Sequence, residues 1–450
     1  MKLKQRPEDF VVRESFRFEN DPKGDYFVYL MDKQKISTLQ AIERIRERLT
    51  VRRQDISVCG LKDKQGRTEQ LVAIHGRETG LQDPDLRLKP LGRSAAPLDA
   101  TNIASNRFNV TVRDLSAEEA ERASESTREV QRVGLINYFD SQRFGFLKHQ
   151  GEIPGRLLVH GDIEGALKLY LATPSKLDRS EDARVKQFWS EHWHDWNAHC
   201  PYQAMQKYTP VLRQLREAPR DYAAALMRID ARTRLMMIYE LQSLLWNESV
   251  KRYLHTKVPA GELIRIRYQA GGLEFPRVKV DLRPTFPLLA PDANLTDPDV
   301  RTAALSALAR ERLRPERLVV PGLPRLFFKA EERPLVIQPG SLAFSGPRSD
   351  EFNRGRLKVH LAFTLPPGAY ATLVVRRILW FALEEQRPVE KKVATGARPA
   401  PPPPPDPRTT GYRARKQAIK TARATARASQ PVSKKKPGAV RGRPGRNVKN

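Results

Sequence analysis

Two capping boxes determine where helices begin within residues 1–150. Ser37 with Gln40, and Ser116 with Glu119, have the Ser-x-x-Gln/Glu spacing in which two side chains satisfy free N–H groups at a helix start. The second helix is predicted to end at Gly134, because glycine adopts the left-handed conformation that stops a helix. Apolar runs that are typical of strands lie before, between and after these helices. This mixture, which lacks a regular βαβ repeat, indicates an α+β fold.

Further elements follow from the spacing of apolar residues, which alternate in strands and recur every three or four residues in helices. The predicted strands are residues 9–18, 26–31, 70–74, 108–112, 263–268, 277–282, 325–329 and 357–363. The other predicted helices are residues 163–171, 222–254, 301–313 and 370–385. In the first helix, one face is expected to carry Leu39, Ile42, Ile45 and Leu49. The predominance of predicted helices from about residue 155 to 325 indicates a second domain.

The charge of the chain favours a nucleic acid partner. It contains 80 Lys and Arg against 52 Asp and Glu, with a net charge of +28 and an isoelectric point near 10.2. Residues 391–450 hold 17 of these cations and one acid, Asp406, so residues 1–390 still carry +12. A surplus of this size attracts polyanions. Basic character is therefore not confined to the C-terminal segment.

Residues 391–450 are predicted to form a disordered basic tail. Apolar periodicity is lost after Arg387, Pro399–Pro407 reads as a polyproline spacer, and little that could be buried follows. Arg441–Pro444 has the core of an AT-hook, but such tetrapeptides arise easily in a Lys/Arg-rich tail. The tail is therefore expected to bind nucleic acid without shaping a pocket.

The composition predicts a soluble cytoplasmic protein, which we expect to be a monomer. Cys59 and Cys200 are too few for a disulfide framework, so reduced thiols are expected. The first residues lack the apolar core of a signal peptide. The best candidate for a membrane span, Thr372–Leu383, is interrupted by Arg376 and Arg377.

One carboxylate stands among cations in the loop Gly60–Gln70. Asp63 has Lys62, Lys64 and Arg67 as neighbours, and an apolar strand follows. Nearby cations favour the ionised carboxylate, which would then be presented to an anionic ligand. Taken alone, however, the same pattern favours a solvated hairpin tip with neutralised charges.

Other motifs give less. The segment from His192 to Trp196, followed by His199 and Cys200, has the composition of a metal site but lacks a second ligand pair at zinc spacing. Aromatic packing of a helical segment is the preferred interpretation, and no metal is predicted. Neither a Walker loop nor a dinucleotide fingerprint is present, which argues against ATP or NAD chemistry.

Five segments together resemble the tRNA pseudouridine synthase D (TruD) family. They match, in order, its Lys-x-x-Pro-Glu-Asp-Phe-x-Val-x-Glu, Gly-x-Lys-Asp-x-x-Ala-x-Thr-x-Gln, Asn-x-Phe, Gly-x-x-Asn-Tyr-Phe-Gly-x-Gln-Arg-Phe-Gly and Leu-Pro-x-Gly-x-(Phe/Tyr)-Ala-Thr motifs. The segments are Lys4–Glu14, Gly60–Gln70, Asn106–Phe108, Gly134–Gly145 and Leu365–Thr372. We call them the five motif segments. Gln242–Asn247 also looks like the family's Ser-x-Leu-Phe-Asn helix, although a buried amphipathic helix reads the same way.

The resemblance implies an isomerase that converts a uridine of tRNA, usually at position 13, to pseudouridine without a cofactor. It assigns the catalytic role to Asp63, which would attack either C1′ of the ribose or C6 of the base. The residues expected to bind the base or the RNA are Lys4, Lys62, Asn106, Phe108, Gln142 and Arg143. For Phe108 the expected role is stacking on a flipped base, whereas its alternation with Val110 and Val112 indicates a core residue. The rival class is a non-catalytic RNA-binding or RNA-folding protein on the same scaffold.

The implied architecture is a pseudouridine-synthase-like mixed sheet interrupted by an insertion. The catalytic domain is expected at residues 1–152 and 326–390, the insertion (TRUD) domain at 153–325, and the tail at 391–450, with RNA held in the cleft between the two domains. Three residues depart from the family pattern. Gly66 stands for Ala and is expected to be a mild change, Asp140 stands for Gly and is expected to alter the local backbone, and Arg377 stands for Glu.

Overall fold

A ten-stranded mixed sheet joins the first 115 residues of the chain to residues 340–365. The computed structural model describes residues 1–62, 64, 66–76, 78–147, 151–175 and 178–384. Its strands are β1 (Lys2–Leu3), β2 (Phe10–Phe16), β3 (Tyr26–Gln34), β4 (Ile56–Val58), β5 (Arg67–His75), β6 (Gln82–Asp83), β7 (Leu86–Ser94), β8 (Ile103–Leu115), β9 (Leu135–Ile136), β10 (Leu263–Tyr268), β11 (Gly271–Pro276), β12 (Thr285–Pro287), β13 (Glu332–Pro334), β14 (Val336–Ile337), β15 (Gly340–Ser349) and β16 (Leu357–Leu365).

The large sheet runs β15-β16-β8-β2-β5-β3-β7-β6, with β1 beside β8 and β4 beside β5. Within the described ranges β2 and β5 form its one parallel pair, in which Val11 lies opposite Arg67. The first two motif segments thereby become neighbours at the centre of the sheet. Three two-stranded pairs, β10-β11, β12-β13 and β9-β14, lie outside it.

Helices cover the sheet and build the middle of the chain. They are α1 (Thr38–Leu49), α2 (Ala117–Val133), α3 (Pro154–Val159), α4 (Ile163–Leu171), α5 (Ser180–Glu191), α6 (Thr209–Glu217), α7 (Tyr222–Met227), α8 (Ala231–Lys257), α9 (Pro298–Arg310), α10 (Ala371–Ile378) and α11 (Trp380–Glu384). Helix α1 buries Ile42 and Ile45 in one cluster with Val72 and Ile74 of β5. None of the helices in these ranges is long and apolar enough to cross a membrane.

Helix α8 is buried on nearly every side between Met237 and Leu254. A helix with this exposure lies in the centre of a core rather than on its surface. It also carries fully buried polar side chains, including Glu240 and Asn247. Buried polar groups need hydrogen-bond partners, and these side chains find partners within the fourth motif segment or just after it, as shown below.

The sequence-based elements are largely confirmed where local signals define them. Both capping boxes form, and Gly134 stops α2 with φ +81°. Four expectations are wrong. Leu39 is 48% exposed and lies off the buried face of α1, residues 277–282 are not a strand, and residues 325–329 contribute only an isolated bridge at Phe327. Residues 222–254 form two helices, because Asp230 caps the start of α8.

All described residues belong to one compact unit, Met1–Arg387. The mixed sheet and the helices around it form an α+β fold, as the sequence predicts. The division at residues 152/153 and 325/326 stays a prediction, and the predicted tail lies outside the described residues.

Candidate active site

A cavity of about 290 Å³ lies where the five motif segments meet. It is lined by Phe10, Val12, Leu61, Lys62, Asn106, Phe108, Gln142, Gly368, Ala369, Tyr370, Ala371 and Thr372. Each motif segment contributes at least one of these residues, although the segments span most of the folded chain. A larger cavity of about 560 Å³ is bordered by Gly134 and Lys279. Of the five motif segments, only the fourth contributes described residues to its lining. The smaller cavity is therefore the candidate active site.

Phe108 belongs both to the cavity wall and to the hydrophobic core. Its ring is 8% exposed and stacks on Phe363 of the adjacent strand, with centroids 5.4 Å apart. Phe10 meets it edge-on at 6.2 Å. The core position expected from strand alternation is thus confirmed, while stacking on a base stays a prediction.

Asn106 brings a polar atom without a partner to the cavity. Its Oδ1 is buried, and no hydrogen bond to it is made by any described residue. A buried acceptor left in this state costs about 1–3 kcal/mol. Since Asn106 lines the cavity, a bound ligand with an N–H group can supply the missing hydrogen bond.

Lys62 is held by a buried carboxylate. Its Nζ lies 2.5 Å from Glu14 Oε1, and the two side chains are 13% and 0% exposed. Glu14 Oε2 accepts a hydrogen bond from the Leu71 N–H at 2.9 Å. The carboxylate therefore connects the Asp63 loop to the strand that follows it, and Lys62 is positioned more firmly than an RNA-contacting surface lysine.

A second buried network fixes the start of the same loop. The Lys62 N–H donates to Thr38 Oγ1 at 2.9 Å, and this hydroxyl donates to Gln70 Oε1 at 2.8 Å. Gln70 Nε2 in turn donates to the Gly60 carbonyl at 3.0 Å. Thr38 and Gln70 are almost fully buried. The first residue of α1 and the end of the second motif segment thereby hold the backbone that leads into Asp63.

Asp63 itself lies outside the described residues. The cations around it are less available than the sequence indicates, because Lys62 pairs with Glu14 and Arg67 forms a two-point ion pair with Asp32 at 2.6 and 3.0 Å. Lys64 is exposed.

Gly66 needs to be glycine in this structure. Its φ is +114°, and a Cβ there would come 2.3 Å from the Phe10 carbonyl oxygen across the β2-β5 pair. The expectation of a mild difference from the family's alanine is therefore wrong.

Asp140 does not alter the backbone as expected. Its φ of −92° and ψ of 173° are open to any residue. The buried carboxylate accepts hydrogen bonds from the Ser141 N–H and from Thr372 Oγ1, and Arg376 Nε lies 3.6 Å away. Asp140 thus connects the fourth and fifth motif segments at the cavity.

Arg377, the third departure, is fully buried. Its Nη2 lies 3.1 Å from Glu129 Oε1, and burial lowers the pKa of the guanidinium. The pair joins α10 to α2, and neither residue is among those that line the cavity.

The remaining predicted RNA-binding residues lie around the cavity. Lys4 Nζ is 4.3 Å from the centroid of the Phe10 ring. Gln142 lines the cavity and is exposed. Arg143 is half-buried, and its Nε donates to Ser243 Oγ at 3.0 Å.

Side chains of helix α8 hold the fourth motif segment by hydrogen bonds to its backbone groups. Asn247 accepts from the Phe139 N–H at 2.9 Å and donates to the Phe139 carbonyl at 2.8 Å. Glu240 Oε1 accepts from the N–H groups of Phe146 and Leu147. These contacts give the Gln242–Asn247 resemblance a physical reason, since the helix supports the chain that carries Gln142 and Arg143.

Two further residues at the site were not among the predicted site residues. Tyr370, the aromatic position of the fifth motif segment, lines the cavity, and burial raises the pKa of its phenol. Arg333 donates to the carbonyl of Gly368, which also lines the cavity. Arg333 lies in the short strand β13, where neither spacing nor motif distinguishes it from other surface arginines.

The histidine-rich segment packs through its aromatic rings as expected, but it is not helical, because α5 ends at Glu191 and residues 192–200 form turns and irregular chain. His192 stacks on Phe188 at 4.1 Å, and the Trp193 and Trp196 rings meet edge to face at 4.9 Å. Trp193 and His194 both hydrogen bond to Glu164. Across the described part of the chain, no group of three His, Cys, Asp or Glu side chains could hold a metal ion.

Comparisons with known proteins show which solved structure and which relatives this chain resembles. A solved structure assigned to a tRNA pseudouridine synthase D of Methanosarcina mazei shares the fold, with a TM-score of 0.63 and 24% identity over 84% of this chain and 93% of that one. A relative named probable tRNA pseudouridine synthase D 2, from Methanocaldococcus jannaschii, is 31% identical over 84% of this chain and 91% of its own length. The tRNA pseudouridine synthase D of Aquifex aeolicus is 27% identical over 84% of this chain and 98% of its own length.

The family model for tRNA pseudouridine synthase D (TruD) matches residues 1–378, and the chain belongs to that family. It is accordingly an isomerase that forms pseudouridine from uridine in tRNA. This decides against the non-catalytic RNA-binding alternative.

Proposed function

We propose that the 290 Å³ cavity receives the uracil of the target uridine and that Asp63 is the catalytic carboxylate. The observation that carries this proposal is the meeting of all five motif segments at one cavity. Its volume is near the lower end for ligand pockets, about 300 Å³, which suits a single base flipped out of its stack. Asn106 Oδ1, which has no hydrogen-bond partner among the described residues, offers an acceptor for a uracil N–H, and the Phe108 ring offers a surface for base stacking.

The reaction is an isomerisation within one nucleoside. The bond between N1 and C1′ breaks, the base turns, and C5 bonds to C1′, while C5 loses a proton and N1 gains one. Asp63 acts as the nucleophile, at either C1′ or C6. Lys62 and Glu14 fix the loop that presents it, and no cofactor is required.

The remaining assignments are parts of the same proposal. Lys4, Gln142 and Arg143 contact RNA around the cavity, and the target is the uridine at tRNA position 13. The enzyme acts as a monomer. Its place is the cytoplasm, in keeping with the free, buried Cys59 and Cys200. The basic tail adds contacts to nucleic acid.

Asp63→Asn and Asp63→Ala test the catalytic assignment. Both are expected to abolish pseudouridine formation while tRNA affinity stays unchanged or rises, because loss of a negative charge does not weaken polyanion binding. Tritium release from 5-tritiated uridine in tRNA measures the reaction, with Glu47→Gln as a control that removes an exposed carboxylate. Turnover by Asp63→Ala above background would contradict the assignment.

The target nucleotide needs its own measurement. Chemical mapping of pseudouridine in tRNA from cells with and without the gene is expected to show loss at position 13. Loss at another position would refute the assignment of position 13 while leaving the reaction intact.

A further inference from the structure

Arg143 and Arg333 lie beside the cavity without an acidic partner. Among the residues that the structure describes, neither forms an ion pair, whereas the well-buried Arg113, Arg156 and Arg377 all pair with carboxylates. Both guanidinium groups lie against Phe139, with their central carbons 5.6 and 4.1 Å from the ring centroid. Two unneutralised cations therefore share one aromatic surface.

Arg333 is oriented by carbonyl groups rather than by charge. Its Nε donates to the Asn137 carbonyl, and its Nη2 donates to Asn137 Oδ1 and to the Gly368 carbonyl, each at 2.9 Å. Its Nη1 donates to no group within the described ranges, and a Cβ at Gly368 would lie 3.7 Å from it. The guanidinium thus has one fixed edge and one edge that is open to a ligand beside a residue of the cavity wall.

This arrangement is costly in the absence of an anion. Burial is the main cause that lowers the pKa of Arg333 to about 10, and the charge of Arg143 acts in the same direction. Arg333 still carries its charge at neutral pH. A buried cation is normally stabilised by an opposite charge, and arginine is the side chain best suited to bind phosphate oxygens with two N–H groups.

We infer that Arg143 and Arg333 form a binding site for a backbone phosphate of the tRNA, next to the target uridine. The inference rests on the proposed function, since the cavity has to hold the base. Arg143 follows Gln142 of the cavity wall, and Arg333 binds Gly368 of the same wall. A phosphate at this position anchors the nucleotide's backbone while its base enters the cavity.

The salt dependence of tRNA binding tests this inference. Each lost phosphate contact flattens the plot of log K against log salt by about 0.7–0.9. Arg333→Gln and Arg143→Gln are each expected to show this change. The matched control is Arg46→Gln, whose charge is already neutralised by Glu43 and whose slope should not change. Unchanged slopes in both cavity variants would overturn the inference. If Arg333→Gln does not fold, the half-buried Arg143 decides alone.

Replacement of single phosphates by an uncharged group can identify which phosphate of the tRNA binds to the two arginines. Synthetic tRNAs with a single methylphosphonate on either side of the target uridine are expected to bind the wild-type chain more weakly at one position. Arg333→Gln should lose little further affinity there, because the same contact is already gone. Full additivity of the two losses at both positions would refute the inference. Binding rather than conversion is measured here, so a failure of the Asp63 assignment would be seen separately, as pseudouridine formation by the Asp63→Ala variant.

Discussion

Replacement of Glu14 by Gln should destabilise the protein severely, because it leaves the Lys62 ammonium buried without its counter-charge. The Glu14 side chain is inaccessible to solvent, and its Oε1 has no hydrogen-bonding neighbour in the described structure apart from the ion pair with Lys62. Removal of one member of a buried ion pair costs about 3–5 kcal/mol. The Leu71 N–H keeps an acceptor, since glutamine retains one carbonyl oxygen. The expected loss is therefore attributable to the charge.

A double-mutant cycle separates this charge effect from packing. Lys62→Met alone should also be costly, because it leaves the Glu14 carboxylate buried and unpaired. Glu14→Gln combined with Lys62→Met leaves no buried charge, and a neutral replacement of a buried pair is often tolerated. Urea denaturation of each variant gives the free energies of unfolding. Additive losses, with a coupling energy below about 0.5 kcal/mol, would refute the reasoning.

Three further predictions concern the site and the tail. Phe108→Leu keeps most of the core volume and should cost less than about 1.5 kcal/mol of stability. It should nevertheless reduce turnover about tenfold to a hundredfold, because base stacking is lost. Normal turnover of tRNA by this variant would show that Phe108 is a core residue alone. Gly66→Ala should cost at least about 1–3 kcal/mol, because alanine is strained at φ +114°, and an unchanged melting temperature would contradict this. Truncation after Arg387 should reduce the slope of log K for tRNA binding against log salt by about 0.7–0.9 for each lost phosphate contact. Single-turnover rates at saturating tRNA should match those of the full-length chain. Slow chemistry with normal binding would show that the tail acts at the active site.

The sequence predicts best those elements whose ends are defined by neighbouring residues. The Ser37 and Ser116 caps are local interactions, and both form as expected. Residues 277–282 have the alternation of a strand, but they follow the end of β11 at Pro276, which already pairs with Leu263, the first residue of β10. Whether a segment forms a strand depends on the neighbouring strand that it can pair with, and that strand can be distant in the sequence.

The site shows the same limit. The five motif segments identify most of the cavity lining, because those residues recur as recognisable patterns. The electrostatics of the Asp63 loop could not be predicted, since Glu14 and Asp32, which neutralise Lys62 and Arg67, lie on other strands. Arg333 was missed because its significance comes from the absence of a nearby acid, which no local pattern reveals.

The polar side chains of α8 have a consequence for efforts to make a smaller enzyme. Asn247 and Ser243 lie within the middle of the chain, yet they hold Phe139 and Arg143 of the fourth motif segment. Glu240 likewise holds Leu147, two residues beyond that segment. Excision of residues 153–325 would therefore leave a sheet whose active-site loop has lost its backbone supports. A miniaturised catalyst would have to retain α8, or replace it with another helix that presents the same amide and carboxylate groups. The middle of this chain is scaffolding for the chemistry, and cannot be treated as a detachable module.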